Sequence, residues 1–182
     1  LLTGPAGTGK TTLARAIAAA AGQPLAEVSA PLLRDRVTWV RFLADLPEGC
    51  VLFLDEAHAL PLPLLEVLLE ALTERRLSLV LSDGERARHV RLRLPSFTLV
   101  AATTDEGAIP AALRSRFGLR ETLVRYSVEA LTEVALRAAA RGAPALRAKA
   151  ALGAETALCA EPGPRVELTR EGATRLAEAS RG

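Results

Sequence analysis

The 182 residues predict a three-layer α/β sandwich on a parallel five-stranded sheet, with an inserted β-hairpin and the start of a small helical lid. Three observations carry that expectation. Short apolar runs alternate with helix-length stretches, the pattern of βαβ units and a parallel sheet. One run, Val51-Leu52-Phe53-Leu54, is apolar without alternation, as a strand covered on both faces requires. A glycine-rich loop joins the first apolar run to the first helix, a strand–loop–helix unit.

Leu1 to Thr3 is the end of the first strand, and Thr11 to Ala21 is an alanine-rich helix that Gly22 closes. Leu25 to Ser29 supplies a second strand and Val51 to Leu54 a third, with a helix from Trp39 to Leu46 between them. A helix from Leu62 to Arg75 follows. Two alternating runs, from Leu77 and from His89, then flank Asp83-Gly84. They predict a hairpin over about 77–94, with Val90, Leu92 and Leu94 on one face and His89, Arg91 and Arg93 on the other. Phe97 to Ala102 is a buried strand, Pro110 to Arg116 a short helix, and Leu123 to Tyr126 the fifth strand. Residues 1–126 thus form the core domain and 127–182 an incomplete helical lid. In the lid Ser127 can cap a helix to Arg141 that Gly142 ends, and Thr169 can cap another toward Ser180. Ala143 to Arg165, with Glu161-Pro162-Gly163-Pro164, is an insertion to which no function is assigned.

Composition narrows the function classes. Hydrophobic residues make up 49% of the chain, but many are alanines at helical spacing, and no apolar run is long enough for a membrane span. The opening Leu1-Leu2-Thr3-Gly4 is a strand end rather than a basic-then-apolar export signal, so a cytoplasmic location without membrane attachment is expected. Cys50 and Cys159 lack metal-ligand spacing and are expected as ordinary reduced thiols. A formal charge of +2 does not by itself imply a nucleic-acid partner.

The chemistry lies in a few short motifs. Gly4-Pro5-Ala6-Gly7-Thr8-Gly9-Lys10-Thr11 fits G-x-x-x-x-G-K-[ST] in the strand-to-helix context the motif requires. Its glycines let backbone N–H groups curl around phosphates, and the helix N-terminus adds positive potential. Lys10 reaches the outer phosphates, Thr11 ligates magnesium, and Thr12 stands beside the inner phosphate. A glycine-rich turn with a solvated lysine is the plainer alternative. Asp55-Glu56 ends a buried strand where open α/β sheets bind ligands: Asp55 is placed to hold the magnesium shell, and Glu56 to orient or deprotonate an attacking water. ATP and Mg2+ are the ligands this pairing implies. Asp55-Glu56-Ala57-His58 also spells the tetrad of one helicase class, but the Ser-Ala-Thr element and the late glutamine- and arginine-rich motif of that class are missing. For His58 a place in a polar helix entry is at least as good a reading as catalysis.

Phe97 to Ala102 leads into Thr103-Thr104, which looks like the sensor 1 element of AAA+ proteins, and Thr104 occupies the position that reads the γ-phosphate or positions the water. Ala112-Leu113-Arg114-Ser115-Arg116-Phe117-Gly118 resembles the segment that presents an arginine finger to a neighbouring subunit, with Arg116 favoured and Arg114 second. Arginines matched to a helix C-terminus are the alternative. The P-loop, Val51 to Leu60, and Leu79 through Arg116 together resemble the RuvB family of Holliday junction branch-migration motors, which are AAA+ P-loop NTPases. That resemblance implies a homo-oligomeric ring, suspected to be a hexamer, that hydrolyses ATP to move four-way junction or duplex DNA. It further implies that the hairpin, which physics alone favours as a sheet extension with a solvated basic face, docks a RuvA-like partner, and that Tyr126 contacts nucleotide at the lid edge.

The sequence also departs from the family pattern. Asp105 and Ala59 stand where the family usually has arginine, and Thr73-Glu74 where it has an acidic pair. The 182 residues start at the first strand, without the family's adenine-contacting N-terminal segment, and stop before its sensor 2 arginine and winged helix, as expected of a core fragment or a divergent relative. A clamp-loading or protein-remodelling AAA+ ATPase shares every hydrolytic motif. An ATP-responsive interaction module that hydrolyses slowly or not at all is a third reading.

Overall fold

Cys50–Asp55 (β3) forms because every residue from Cys50 to Leu54 can be buried. Its alternate side chains go to opposite faces: Leu52 and Leu54 join one apolar cluster, Val51 and Phe53 the other. The computed structural model describes residues 1–83, 86–140 and 169–179. Around β3 it places four more parallel strands in the order β2-β3-β6-β1-β7, with β1 Leu2–Thr3, β2 Leu25–Ser29, β6 Phe97–Thr103 and β7 Glu121–Thr122. One face is covered by α1, Lys10–Ala20, whose Ala14 and Ala18 carry little side chain and so let the helix lie close on Val51, Phe53 and Val100. The other is covered by α2, Arg36–Ala44, and α3, Leu62–Glu74. There Trp39, Leu43, Leu64 and Leu68 pack on Leu52 and Leu54, and the Trp39 indole N–H donates to the Leu64 carbonyl at 3.1 Å.

Two element boundaries differ from expectation. Helix α2 begins at Arg36 rather than Trp39, because Asp35 caps it: the Asp35 carboxylate accepts from the Thr38 N–H and hydroxyl, each at 2.7 Å. The fifth strand is Glu121–Thr122, not Leu123 to Tyr126. Its ladder is set by β1: the Glu121 N–H donates to the Leu1 carbonyl at 2.9 Å and the Leu123 N–H to Thr3 at 2.7 Å. The Thr3 and Thr122 hydroxyls meet at 2.9 Å. Beyond Thr3 the chain turns into the glycine loop, so the ladder has no partner left, and Val124 stays exposed.

The hairpin is present as β4, Arg76–Asp83, antiparallel to β5, Arg86–Arg93, in a two-stranded sheet of its own. Asp83 pairs with Arg86, and Gly84 of the expected Asp83-Gly84 turn lies outside the described residues. Leu77 and Leu94 are buried and Leu92 half-buried, while Arg91 and Arg93 are exposed as expected; Val90, expected on the apolar face, is exposed. The helix expected over Pro110 to Arg116 is α4, Ala111–Arg114.

Contacts divide the chain into Leu1–Arg125 and Tyr126–Gly182, which puts Tyr126 at the start of the second unit rather than the end of the first. Within that unit Ser127 caps α5, Val128–Ala140, by accepting from the Ala130 N–H, and Thr169 caps α6, Arg170–Ala179, by accepting from Gly172. The two helices meet around buried Thr132, Ala173 and Ala177. The expected insertion, Gly142, Cys159 and Ser180 lie outside the described residues. No helix among the described residues is long and apolar enough to cross a membrane.

Candidate functional site

The parallel register sets Thr3 beside Thr103 and Ser29 beside Asp55, so the carboxyl ends of β1, β3 and β6 converge at one edge of the sheet. Gly4 to Gly9 loops off this edge into α1. Gly7 and Gly9 have φ of +78° and +89°, values that let consecutive N–H groups face inward at no Cβ cost. Gly9 is the N-cap of α1 and offers no side chain, so no side-chain oxygen competes for the first N–H groups of the helix. Lys10 is buried, and its ammonium donates to the Gly4 and Pro5 carbonyls at 2.7 and 2.9 Å. Thr8 is buried too and braces the loop through its hydroxyl on Pro5, 2.9 Å away. Ala6 and Thr12 are exposed.

Thr11 and Asp55 line a common cleft of about 210 Å³ with Glu27, Val28, Ser29 and Phe53. A hydroxyl and a carboxylate facing one space are a hard-oxygen pair that suits magnesium, which takes few protein ligands and completes its shell with water and phosphate. Glu27 was not singled out from the sequence; it is an exposed residue on a half-buried strand, and no motif marks it. Arg15 reaches it with two hydrogen bonds of 2.7 and 2.9 Å and holds its carboxyl below the usual carboxylate range.

Glu56 has the left-handed backbone φ 48°, ψ 48°, uncommon for a residue with a side chain. Its N–H donates to Asp55 Oδ1 at 3.0 Å and its carbonyl accepts from Ala59 at 2.8 Å, so the conformation is held at both ends. Backbone strain of this kind clusters at active sites. The Glu56 carboxylate accepts from the Thr104 hydroxyl at 3.1 Å through Oε2, which brings together the two residues expected to handle water. His58 Nδ1 lies 2.8 Å from Thr103 Oγ1 and 3.3 Å from Glu56 Oε2. Thr103, the first of the threonine pair, is a buried hub that the sequence did not distinguish from its neighbour. Asp105 caps the following turn by accepting from the Ala108 N–H at 3.2 Å, a role an arginine could not take.

The two arginines separate. Arg114 is half-buried and its guanidinium donates to the Ile109 carbonyl at 3.2 Å. Arg116 is exposed and its side chain makes no hydrogen bond or ion pair among the described residues. Among the described residues neither side chain makes a hydrogen bond or ion pair with the P-loop. Tyr126 belongs to the second unit and is 40% exposed.

Residues 1–123 match the family model described as the Holliday junction DNA helicase RuvB P-loop domain. Among solved structures, the chain is similar to the Thermotoga maritima RuvB Holliday junction branch migration motor, with 31% identity and a TM-score of 0.71. That match covers 99% of this chain and 48% of the other. A point mutant of Thermotoga maritima RuvB is 35% identical over 78% of this chain and 43% of its own, with a TM-score of 0.68. Brucella abortus NtrX in complex with ADP shares the fold at 20% identity and a TM-score of 0.59, covering 78% of this chain and 36% of NtrX. The chain thus spans about half the length of the RuvB structures it matches.

Proposed function

Because the chain belongs to the RuvB family of Holliday junction DNA helicases, we propose that it binds ATP with magnesium and hydrolyses it as the motor core of a branch-migration protein. The observation that carries this reading is the convergence of the glycine loop, Asp55, Glu56 and Thr104 on adjacent parallel strands, with Thr11 and Asp55 facing one cleft. Lys10 is held on loop carbonyls, positioned to exchange them for phosphate oxygens. Magnesium held by Thr11 and Asp55 supplies charge neutralisation on the phosphates when bound. Glu56 orients the attacking water and takes its proton, and Thr104 holds the carboxylate in line. Gly4, Pro5, Ala6, Gly7, Thr8, Gly9 and Thr12 complete the phosphate cradle, and Tyr126 is assigned a contact with nucleotide.

Arg116 is assigned to the site of the neighbouring subunit in a ring, since it is exposed and uncommitted, whereas Arg114 is tied to its own loop. A ring of six, four-way junction or duplex DNA as substrate, and a RuvA-like partner on β4-β5 follow from the same reading, as does a cytoplasmic location. The family match runs through the hairpin, which favours this over clamp loading or protein remodelling. The test is movement of a synthetic four-way junction by the full-length protein with its RuvA partner. Lys10→Ala is expected to abolish both ATP binding and junction movement, and movement that survives without ATP binding would refute the assignment.

A further inference from the structure

Behind Glu56 the cluster continues to a histidine that the hydrolytic reading leaves without a role. The Thr103 hydroxyl has three polar neighbours. The Asp105 N–H donates to it at 3.0 Å, and the hydroxyl donates to the Asp105 carbonyl at 3.0 Å. The third is His58 Nδ1 at 2.8 Å. The single hydroxyl proton can go to the Asp105 carbonyl or to an unprotonated Nδ1, so this contact alone leaves the His58 tautomer open. Glu56 favours one tautomer: a carboxylate only accepts, and its Oε2, 3.3 Å from Nδ1, gains from that contact only if Nδ1 carries a hydrogen.

We propose that His58 is a positioning residue for Glu56, its Nδ1–H shared between Thr103 Oγ1 at 2.8 Å and Glu56 Oε2 at 3.3 Å. Oε2 then accepts from Thr104 and faces the His58 Nδ1–H, which leaves Oε1 as the oxygen that takes the proton of the attacking water. The left-handed backbone of Glu56 brings its carboxylate back over the His58 turn, where both donors reach it. His58 is three-tenths exposed and Thr103 fully buried, so the donor is anchored from the inside while Glu56 faces the site.

The proposal rests on the hydrolytic reading of Glu56, and two measurements keep the two apart. The chain has two histidines, so long-range 1H–15N spectra of the nucleotide-free protein, assigned with His89→Gln, resolve the His58 ring. At mildly alkaline pH the Nδ1–H pattern is expected. An Nε2–H pattern in the unsubstituted protein overturns the proposal. In steady-state ATP hydrolysis, His58→Leu is expected to lower kcat about tenfold with KM nearly unchanged. His58→Asn, which keeps an N–H near the place of Nδ1, is expected to recover most of the rate. Equal losses in both variants, with a raised KM and a lowered thermal midpoint, would mean a structural role and overturn the proposal. If the unsubstituted protein shows the Nδ1–H pattern but hydrolyses no ATP, the hydrolytic reading fails while the His58–Glu56 contact stands.

Discussion

Replacing Gly4 by alanine tests the packing beneath the phosphate loop more sharply than any other single change. A Cβ at Gly4 would stand 2.1 Å from the Leu123 carbonyl oxygen and 3.1 Å from its carbon, at a backbone φ of +135°. Cβ atoms do not approach other atoms closer than 3.0 Å, so the backbone of one segment must give way by roughly an ångström. The obstacle is main chain, and the same residue donates the 2.7 Å hydrogen bond from Leu123 to Thr3 that ends the edge ladder. Backbone strain of about 1–3 kcal/mol and overpacking of about 1–3 kcal/mol then act together, and a loss of about 3 kcal/mol or more is expected. Gly7→Ala is the internal control. Its φ is +78° and a Cβ there meets nothing within 4 Å, so only the left-handed penalty of about 1 kcal/mol applies. Urea unfolding of the two variants beside the unsubstituted protein is the assay. A Gly4→Ala protein no less stable than Gly7→Ala would refute the reasoning.

Two further outcomes follow from local geometry. Arg75 ends α3 at φ 50°, a place where glycine is favoured, so Arg75→Gly is expected to raise stability by about 0.5–1 kcal/mol in the same assay. Asp35 accepts from the Thr38 N–H and hydroxyl, which holds its folded-state carboxyl below the ordinary range. The stability it contributes is therefore complete above the unfolded carboxylate range and is lost as pH falls through the lowered folded value. Asp35→Ala is expected to unfold at lower urea than the unsubstituted protein near neutral pH, with the gap closing in strong acid. A gap independent of pH would rule out the carboxylate as its source.

The parts of the fold that were legible in the sequence are those where one physical demand dominates. The doubly covered strand around Phe53, the alternation of Leu92 and Leu94 with Arg91 and Arg93, and the caps at Ser127 and Thr169 each follow from side-chain type at a fixed spacing. The edge strand was misplaced because Leu123 and Val124 look like a strand, whereas pairing is decided by where β1 ends, and β1 is two residues long. The start of α2 was set too late because the apolar period begins at Trp39, whereas the cap at Asp35 precedes it. At the site, the P-loop and Asp55-Glu56 carry sequence-local motifs. The Thr103–His58–Glu56 cluster joins residues 45 positions apart, and only the parallel register of β3 and β6 brings them together. Gly4 illustrates a double duty that no motif encodes, since its bare Cα serves the Leu123 carbonyl as well as the loop.

The most direct test of the central claim is single-turnover hydrolysis of bound ATP by the unsubstituted protein and by Glu56→Gln, with nucleotide affinity measured in parallel. The expected result is unchanged affinity and a hydrolysis rate lowered by about 100-fold or more, since a general base of this kind contributes roughly 10²–10⁴-fold. Hydrolysis at an undiminished rate in Glu56→Gln would contradict it and remove Glu56 from the mechanism.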